Sequence, residues 1–191
     1  FPYTTLFRSR RHRKIQSADA AGSCIGRRLK DETHMKPKIY IETSVISYLT
    51  SRPSRDVIVI ANQQITDEWW RFRRGNFELF ISELVQLEAG GGDPEAAKKR
   101  MAAIQGIPVL TLSAEIMEFG ESLLKSASLP QKASADALHI ASAAINGLDY
   151  LMTWNFKHIA NAAIRVKVEK QCREQGYEPP IICTPQELME V

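Results

Sequence analysis

From Lys36 onward, short apolar runs alternate with stretches of helical spacing, the pattern of a parallel sheet flanked by helices. Ile39-Tyr40-Ile41 reads as a first buried strand. It runs straight into Thr43-Ser44, residues suited to capping a helix, and then into apolar Val45, Ile46, Tyr48 and Leu49. Pro53-Ser54 restarts a long helix to about residue 73, ended by Gly75. Residues 77–81 read as a second strand, and Ser82 caps a short helix to Ala89 that Gly90-Gly91-Gly92 breaks. Asp93-Pro94 sets a capping acid before a first-turn proline and opens a helix to about Ile104. Val109-Leu110 is a short third strand, Ser113 caps a helix to about Ser126, and Pro130 ends the following loop. Residues 133–146 form an alanine-rich helix closed by Gly147, residues 150–153 a fourth strand, and residues 160–175 a last helix. Ile181-Ile182-Cys183 adds a final edge strand. With no repeat and no low-complexity linker, the expectation is a single α/β domain.

The first 34 residues do not share this pattern. Phe1-Pro2-Tyr3-Thr4-Thr5-Leu6-Phe7-Arg8-Ser9 lacks an initial Met and is what TTT CCC TAC ACG ACG CTC TTC CGA TCT encodes, which looks like a sequencing-library adapter read in frame. Residues 10–34 continue with scattered Arg, Ser and Gly and no apolar period. An artefactual or disordered leader at 1–34 and a domain at 35–191 are therefore expected, against the rival of a basic arm or transit peptide. The apolar core of a secretory signal is absent.

That division changes the electrostatic picture. The whole chain carries 25 Lys/Arg and 22 Asp/Glu, a net of +3. Eight of the bases and three of the acids fall within residues 1–34, leaving 17 against 19, a net of −2. Bulk charge then says nothing for nucleic acid, and any such contact must come from a local patch. A hydrophobic share of 44% and a charged share of 25% fit an ordinary soluble globule. No run approaches the roughly 18 apolar residues that cross a bilayer. Cys24 lies in the leader and Cys172 and Cys183 form no C-x-x-C pair, so free thiols in a reducing cytoplasm are expected.

Open parallel sheets place their sites beyond the carboxyl ends of the strands. Glu42 ends the first strand and Asn155 lies just past the fourth; taken alone, these read as a solvated acid and a turn residue. Glu88 falls at about 240° around its helix, inside an arc marked by Leu84, Val85 and Leu87 at about 200°, 300° and 140°. Glu83, by contrast, suits the first turn and its dipole. Asp136 is the only formal charge between Lys132 and Asp149, on a helix apolar nearly all round and hence expected to be buried. Salt bridging for Glu88 and a first-turn position for Asp136 are the structural alternatives. A buried carboxylate costs several kcal/mol without compensation, and gathered carboxylates repel unless a cation neutralises them. Oxygen ligands without paired His or Cys suit Mg²⁺ or Mn²⁺, which points to phosphodiester hydrolysis through an activated water.

Ile39-Tyr40-Ile41-Glu42-Thr43-Ser44-Val45, Ser82 with Glu88, Asp136-Ala137-Leu138-His139-Ile140-Ala141 and Leu151-Met152-Thr153-Trp154-Asn155 resemble the four PIN-domain motifs in order, closest to the VapC-like toxin branch. The resemblance covers essentially residues 36–189. It implies a three-layer α/β/α fold and a Mg²⁺/Mn²⁺-dependent endoribonuclease, the toxin of a type II toxin–antitoxin pair. Such a protein is often dimeric and often held inactive by a small antitoxin. By the same resemblance Glu42, Glu88 and Asp136 are the metal-binding and catalytic acids, Asn155 the fourth catalytic position, and Thr43, Ser44 and Thr153 the supporting hydroxyls. Glu42 stands where the family has Asp and is a methylene longer, so the metal shifts or the side chain folds back. Asn155 stands where many members have Asp and brings no charge. A catalytically weak or inactive nucleic-acid-binding module of the same fold is the alternative.

Other features remain open. His139, one turn from Asp136, reads first as a hydrogen-bonded core histidine and second as a site residue. Lys157 and His158 either reach phosphate or line a solvated loop. Trp69-Trp70 and Phe72 pack in a core or a dimer contact more readily than they stack on bases, beside a basic cluster of Arg71, Arg73 and Arg74. Gly90-Gly91-Gly92 fits no phosphate-cradling loop, and no G-x-S-x-G elbow supports serine hydrolysis.

Overall fold

The computed structural model describes residues 35–126 and 133–190. The expected leader with Cys24, and the loop ended by Pro130, lie outside the described residues. Strand β1 (Lys38–Ile41) is central in a five-stranded sheet of order β3-β2-β1-β4-β5, with β2 (Glu78–Ser82), β3 (Val109–Leu110), β4 (Tyr150–Met152) and β5 (Ile181–Cys183). All pairings are parallel, with Tyr40 in register with Phe80 on one side and Leu151 on the other. A central parallel strand is covered on both faces, which is why Ile39, Tyr40 and Ile41 are consecutive and all buried.

Strand order reverses at β1, since β2 and β3 extend to one side and β4 and β5 to the other. The crevice at the carboxyl ends of β1 and β4 is where such sheets hold ligands. Two bonds past the strands close this end: the Glu42 N–H donates to Met152 O at 3.1 Å and the Thr153 N–H to Cys183 O at 2.9 Å.

Seven α-helices complete a three-layer α/β/α domain among the described residues: α1 (Thr43–Thr50), α2 (Val57–Phe72), α3 (Glu83–Ala89), α4 (Pro94–Ala103), α5 (Ala114–Ser126), α6 (Ser134–Ile145) and α7 (Ala162–Glu174). Helices α1 to α4 pack among themselves and α5 to α7 among themselves, while α3 also meets α6. Capping chemistry sets most of the boundaries. The Asp93 carboxylate accepts the Ala96 N–H at 2.9 Å, Asn161 the Ala163 N–H at 3.0 Å, and Ser113 the Ile116 N–H at 3.3 Å. Helix α2 starts later than the Pro53-Ser54 reading. Asp56 accepts the Ile58 and Val59 N–H groups at 2.8 and 3.1 Å, whereas the Ser54 N–H is engaged by Gln63 Oε1 at 2.9 Å. Asp56 reaches two orphan donors and so sets the start of the helix, which the Pro53-Ser54 reading placed too early. Gly147 at φ 60° ends α6, with the Leu148 N–H reaching back to Ala143 O at 3.0 Å.

Helices α5 and α6 approach each other closely at Gly120. A Cβ there meets Leu138 Cδ2 at 2.8 Å and Cγ at 3.5 Å. Alanine needs only a small movement of a leucine methyl, but a branched side chain displaces the helix that carries Asp136 and His139. Gly120→Val is expected to cost about 2 kcal/mol by overpacking, read as a lower denaturant midpoint, with Gly120→Ala much closer to wild type.

Candidate metal centre

Each candidate ligand is positioned by a strand end or a helix end. Glu42 leaves β1 in extended backbone and serves as N-cap of α1. Its longer side chain folds back on itself: Oε1 accepts the Ser44 N–H at 3.0 Å, and Oε2 accepts the Ser44 and Thr153 hydroxyls, the latter at 2.7 Å. Only 6% of Glu42 is exposed. The Ser44 oxygen in turn accepts the Trp154 N–H at 2.8 Å, and the Thr153 oxygen the Asn155 N–H at 2.9 Å. The hydroxyl positions thus stitch the first turn of α1 to the end of β4 around one carboxylate.

Glu88 reaches the same place from α3. The buried positions of that helix are Leu84, Val85 and Ala89, while Leu87 is 74% exposed. The apolar arc therefore lies further round than the Leu84-Val85-Leu87 reading, yet Glu88 still falls between Leu84 and Val85. Its Oε2 accepts the Thr43 hydroxyl and lies 3.1 Å from His139 Nε2. Burial pushes the Glu88 carboxyl up, but the hydrogen bond and electrostatics of His139, with the Thr43 hydroxyl, bring it below the ordinary value.

Asp136 is in the first turn of α6, where the N-cap residue Ala133 offers no side-chain bond. It is half-buried, less enclosed than its apolar helix suggests. Oδ1 accepts from Asn155 Nδ2 at 2.7 Å, and Asn155 Oδ1 accepts the His158 N–H at 3.1 Å. Burial raises the Asp136 carboxyl above its usual range; His158 and His139 offset part of this, and the negative charges of Glu42 and Glu88 add to it.

The ligand atoms of Glu42, Glu88 and His139 lie within 4.8 Å of one another, close enough to hold one cation. Asp136 is not in that compact group, and is linked to it through Asn155, the 154–155 backbone and electrostatics. His139 is the participant that the sequence underrated. It is a buried, hydrogen-bonded histidine as expected, but its partners are Tyr40, at 2.8 Å from Nδ1, and Glu88. The available signal was spacing: His139 is one helical turn from Asp136, and Tyr40 lies two strand positions before Glu42.

The donor set fits a hard divalent cation. Among the described residues, the hydrogen bonds to Glu88 fall on Oε2 and that to Asp136 on Oδ1, which leaves Glu88 Oε1 and Asp136 Oδ2 for a ligand. Glu42 keeps one lone-pair direction on Oε1, since three of about four are taken. All of these are oxygens, the atoms that Mg²⁺ and Mn²⁺ select.

The remaining candidates are placed as follows. Lys157 is exposed and His158 half-buried in the turn after Asn155. Trp69 is wholly buried against Phe77, with ring centroids 5.7 Å apart, and Phe72 is 74% exposed. Arg71 pairs with Asp67 at 2.9 Å, and the Arg74 guanidinium lies over Trp70 at 5.1 Å, so the basic cluster is partly engaged. Cys172 and Cys183 are free and buried, with burial pushing their thiols up to about 11 and about 12. No described helix is long and apolar enough to cross a membrane.

No family model and no curated protein matches the chain. Among solved structures, the chain is similar to the crystal structure of VapBC2 from Rickettsia felis bound to a DNA fragment from their promoter, with a TM-score of 0.49 and 14% identity, over 76% of this chain and 97% of that one.

Proposed function

We propose that residues 35–191 form a divalent-metal-dependent endoribonuclease of the PIN, VapC-like kind, the cytoplasmic toxin of a type II toxin–antitoxin pair. The observation that supports this most is the meeting of Glu42 and Glu88 at the carboxyl end of the sheet, with Asp136 electrostatically coupled to both. The four motifs in PIN order give the same reading from the sequence. Glu42, Glu88 and Asp136 hold Mg²⁺ or Mn²⁺ through the oxygens left open to them. A divalent ion bound there supplies an activated water and stabilises charge developing on the scissile phosphate. Asn155, with its amide held at both ends, orients Asp136, while Thr43, Ser44 and Thr153 hold the two glutamates. RNA is the proposed substrate, with a small antitoxin and a second copy of the chain as partners.

One observation favours a second reading, a catalytically weak RNA-binding module: Glu42 already accepts three hydrogen bonds. The full chain is expected to cleave an RNA pool in Mn²⁺ and to stop when a chelator is added. Cleavage indifferent to the chelator would sink the metal centre. RNA retention in Mn²⁺ without cleavage would transfer support to the binding module.

A further inference from the structure

Behind Glu88 runs a chain of buried polar groups that the metal chemistry does not itself require. Ser82 Oγ lies 2.6 Å from Tyr40 Oη, Tyr40 Oη 2.8 Å from His139 Nδ1, and His139 Nε2 3.1 Å from Glu88 Oε2. Ser82 and Tyr40 are wholly buried and His139 is 1% exposed. The groups come from the end of β2, the centre of β1, the middle of α6 and the end of α3, so the chain spans the sheet and both helix groups.

We propose that this relay has a single proton direction, from Ser82 through Tyr40 and His139 to Glu88, and that Tyr40 and His139 are positioning residues for the Glu88 carboxylate. The direction follows from its Glu88 end. A carboxylate only accepts, so the single proton of the neutral imidazole sits on Nε2 and points at Glu88 Oε2, 3.1 Å away. Nδ1 is then the acceptor nitrogen, and the Tyr40 O–H donates to it. With that hydrogen committed, the Tyr40 oxygen accepts from the Ser82 hydroxyl, while Ser82 Oγ also accepts the Val85 N–H at 3.4 Å as cap of α3. A nitrogen that donates to Glu88 does not also ligate a cation. His139 therefore acts through Glu88: it fixes one carboxylate oxygen and, with the Thr43 hydroxyl on that same atom, leaves Oε1 for a cation. Polar partners behind a ligand orient it and tune its basicity.

The importance of the relay for a metal rests on the ribonuclease reading, but its direction does not, and the test separates the two. In the metal-free full chain, ¹⁵N NMR of His139 is expected to show a bare Nδ1 and a protonated Nε2, with Tyr40→Phe disturbing that assignment. A proton on Nδ1 in the wild type would overturn the relay whatever the metal does. Mn²⁺ binding is then measured on the wild type and on Tyr40→Phe, His139→Leu and His139→Gln, each checked for an unchanged fold by circular dichroism. The first two are expected to weaken binding by about 10- to 100-fold. His139→Gln, whose amide can still donate to Glu88, recovers most of it. Equal affinity in all four overturns the positioning role, and so does a His139→Gln as weak as His139→Leu. A wild type with the expected tautomer that binds no Mn²⁺ overturns both the positioning role and the nuclease reading, while the relay direction stands.

Discussion

Asp136→Asn is expected to lower RNA cleavage by about 10²- to 10³-fold, because a lost metal-binding charge removes several kcal/mol of stabilisation from the reaction and each 1.36 kcal/mol is tenfold in rate. The same change is expected to leave the metal-free fold as stable as before, or more stable. Burial, the first cause, holds the folded carboxyl above its usual 3.8, and the charges of Glu42 and Glu88 add to that. A carboxyl raised by folding contributes stability that is fully present below the unfolded value and is lost as pH rises through the folded one. Once ionised, Asp136 is therefore a burden on the fold, and an isosteric amide relieves it. The wild type and the variant should converge in stability towards acid pH and separate towards neutrality, the variant being the more stable. Denaturation midpoints across that range, taken beside cleavage rates, check both halves. A variant that loses activity and stability together would make Asp136 a structural residue of α6.

Glu42→Ala should do the opposite and damage the fold. The Glu42 carboxylate caps α1 and takes the Ser44 and Thr153 hydroxyls in a place almost closed to water. Loss of a cap costs about 1 kcal/mol, and buried donors left without a partner cost about 1–3 kcal/mol more. A total of about 3 kcal/mol corresponds to a fall in Tm of roughly 6–12 °C for a chain of this length. Thermal unfolding of the metal-free protein measures it. A loss below about 1 kcal/mol would show that the three bonds to Glu42 are easily replaced. The two variants form a diagnostic pair: one acid whose removal spares the fold and one whose removal breaks it.

The fold was largely legible in the sequence because its signals are local. Apolar triplets such as Ile39-Tyr40-Ile41 mark buried parallel strands, and Ser82, Asp93 and Gly147 mark helix ends at the places where the backbone turns. The start of α2 was blurred where two capping residues compete within a few positions. The candidate site was legible as a set of residue types but not as a wiring diagram. The periodicity that placed Glu88 between apolar neighbours assigned Leu87 to the buried side, since angle alone does not tell where the facing helix ends. The longer Glu42 side chain raised the question of whether it would fold back, and the Ser44 N–H answers it. The partnership of Tyr40, His139 and Glu88 had no local signature at all, because it joins positions 99 and 51 residues apart. Which of two plausible roles a histidine takes is decided by what the rest of the chain sets against it.

The stitching of Thr153 to Glu42 has a consequence in time as well as in space. This bond joins residues 111 positions apart, and the Trp154–Ser44 bond spans 110. Contacts of such separation form only after the entropy of closing the intervening loop has been met. Glu42 is made early in synthesis and Thr153 late, so a chain still emerging from the ribosome has the Glu42 carboxylate without the β4 end that holds it. Chain order itself therefore delays the fixing of this carboxylate, which comes with the docking of β4 beside β1.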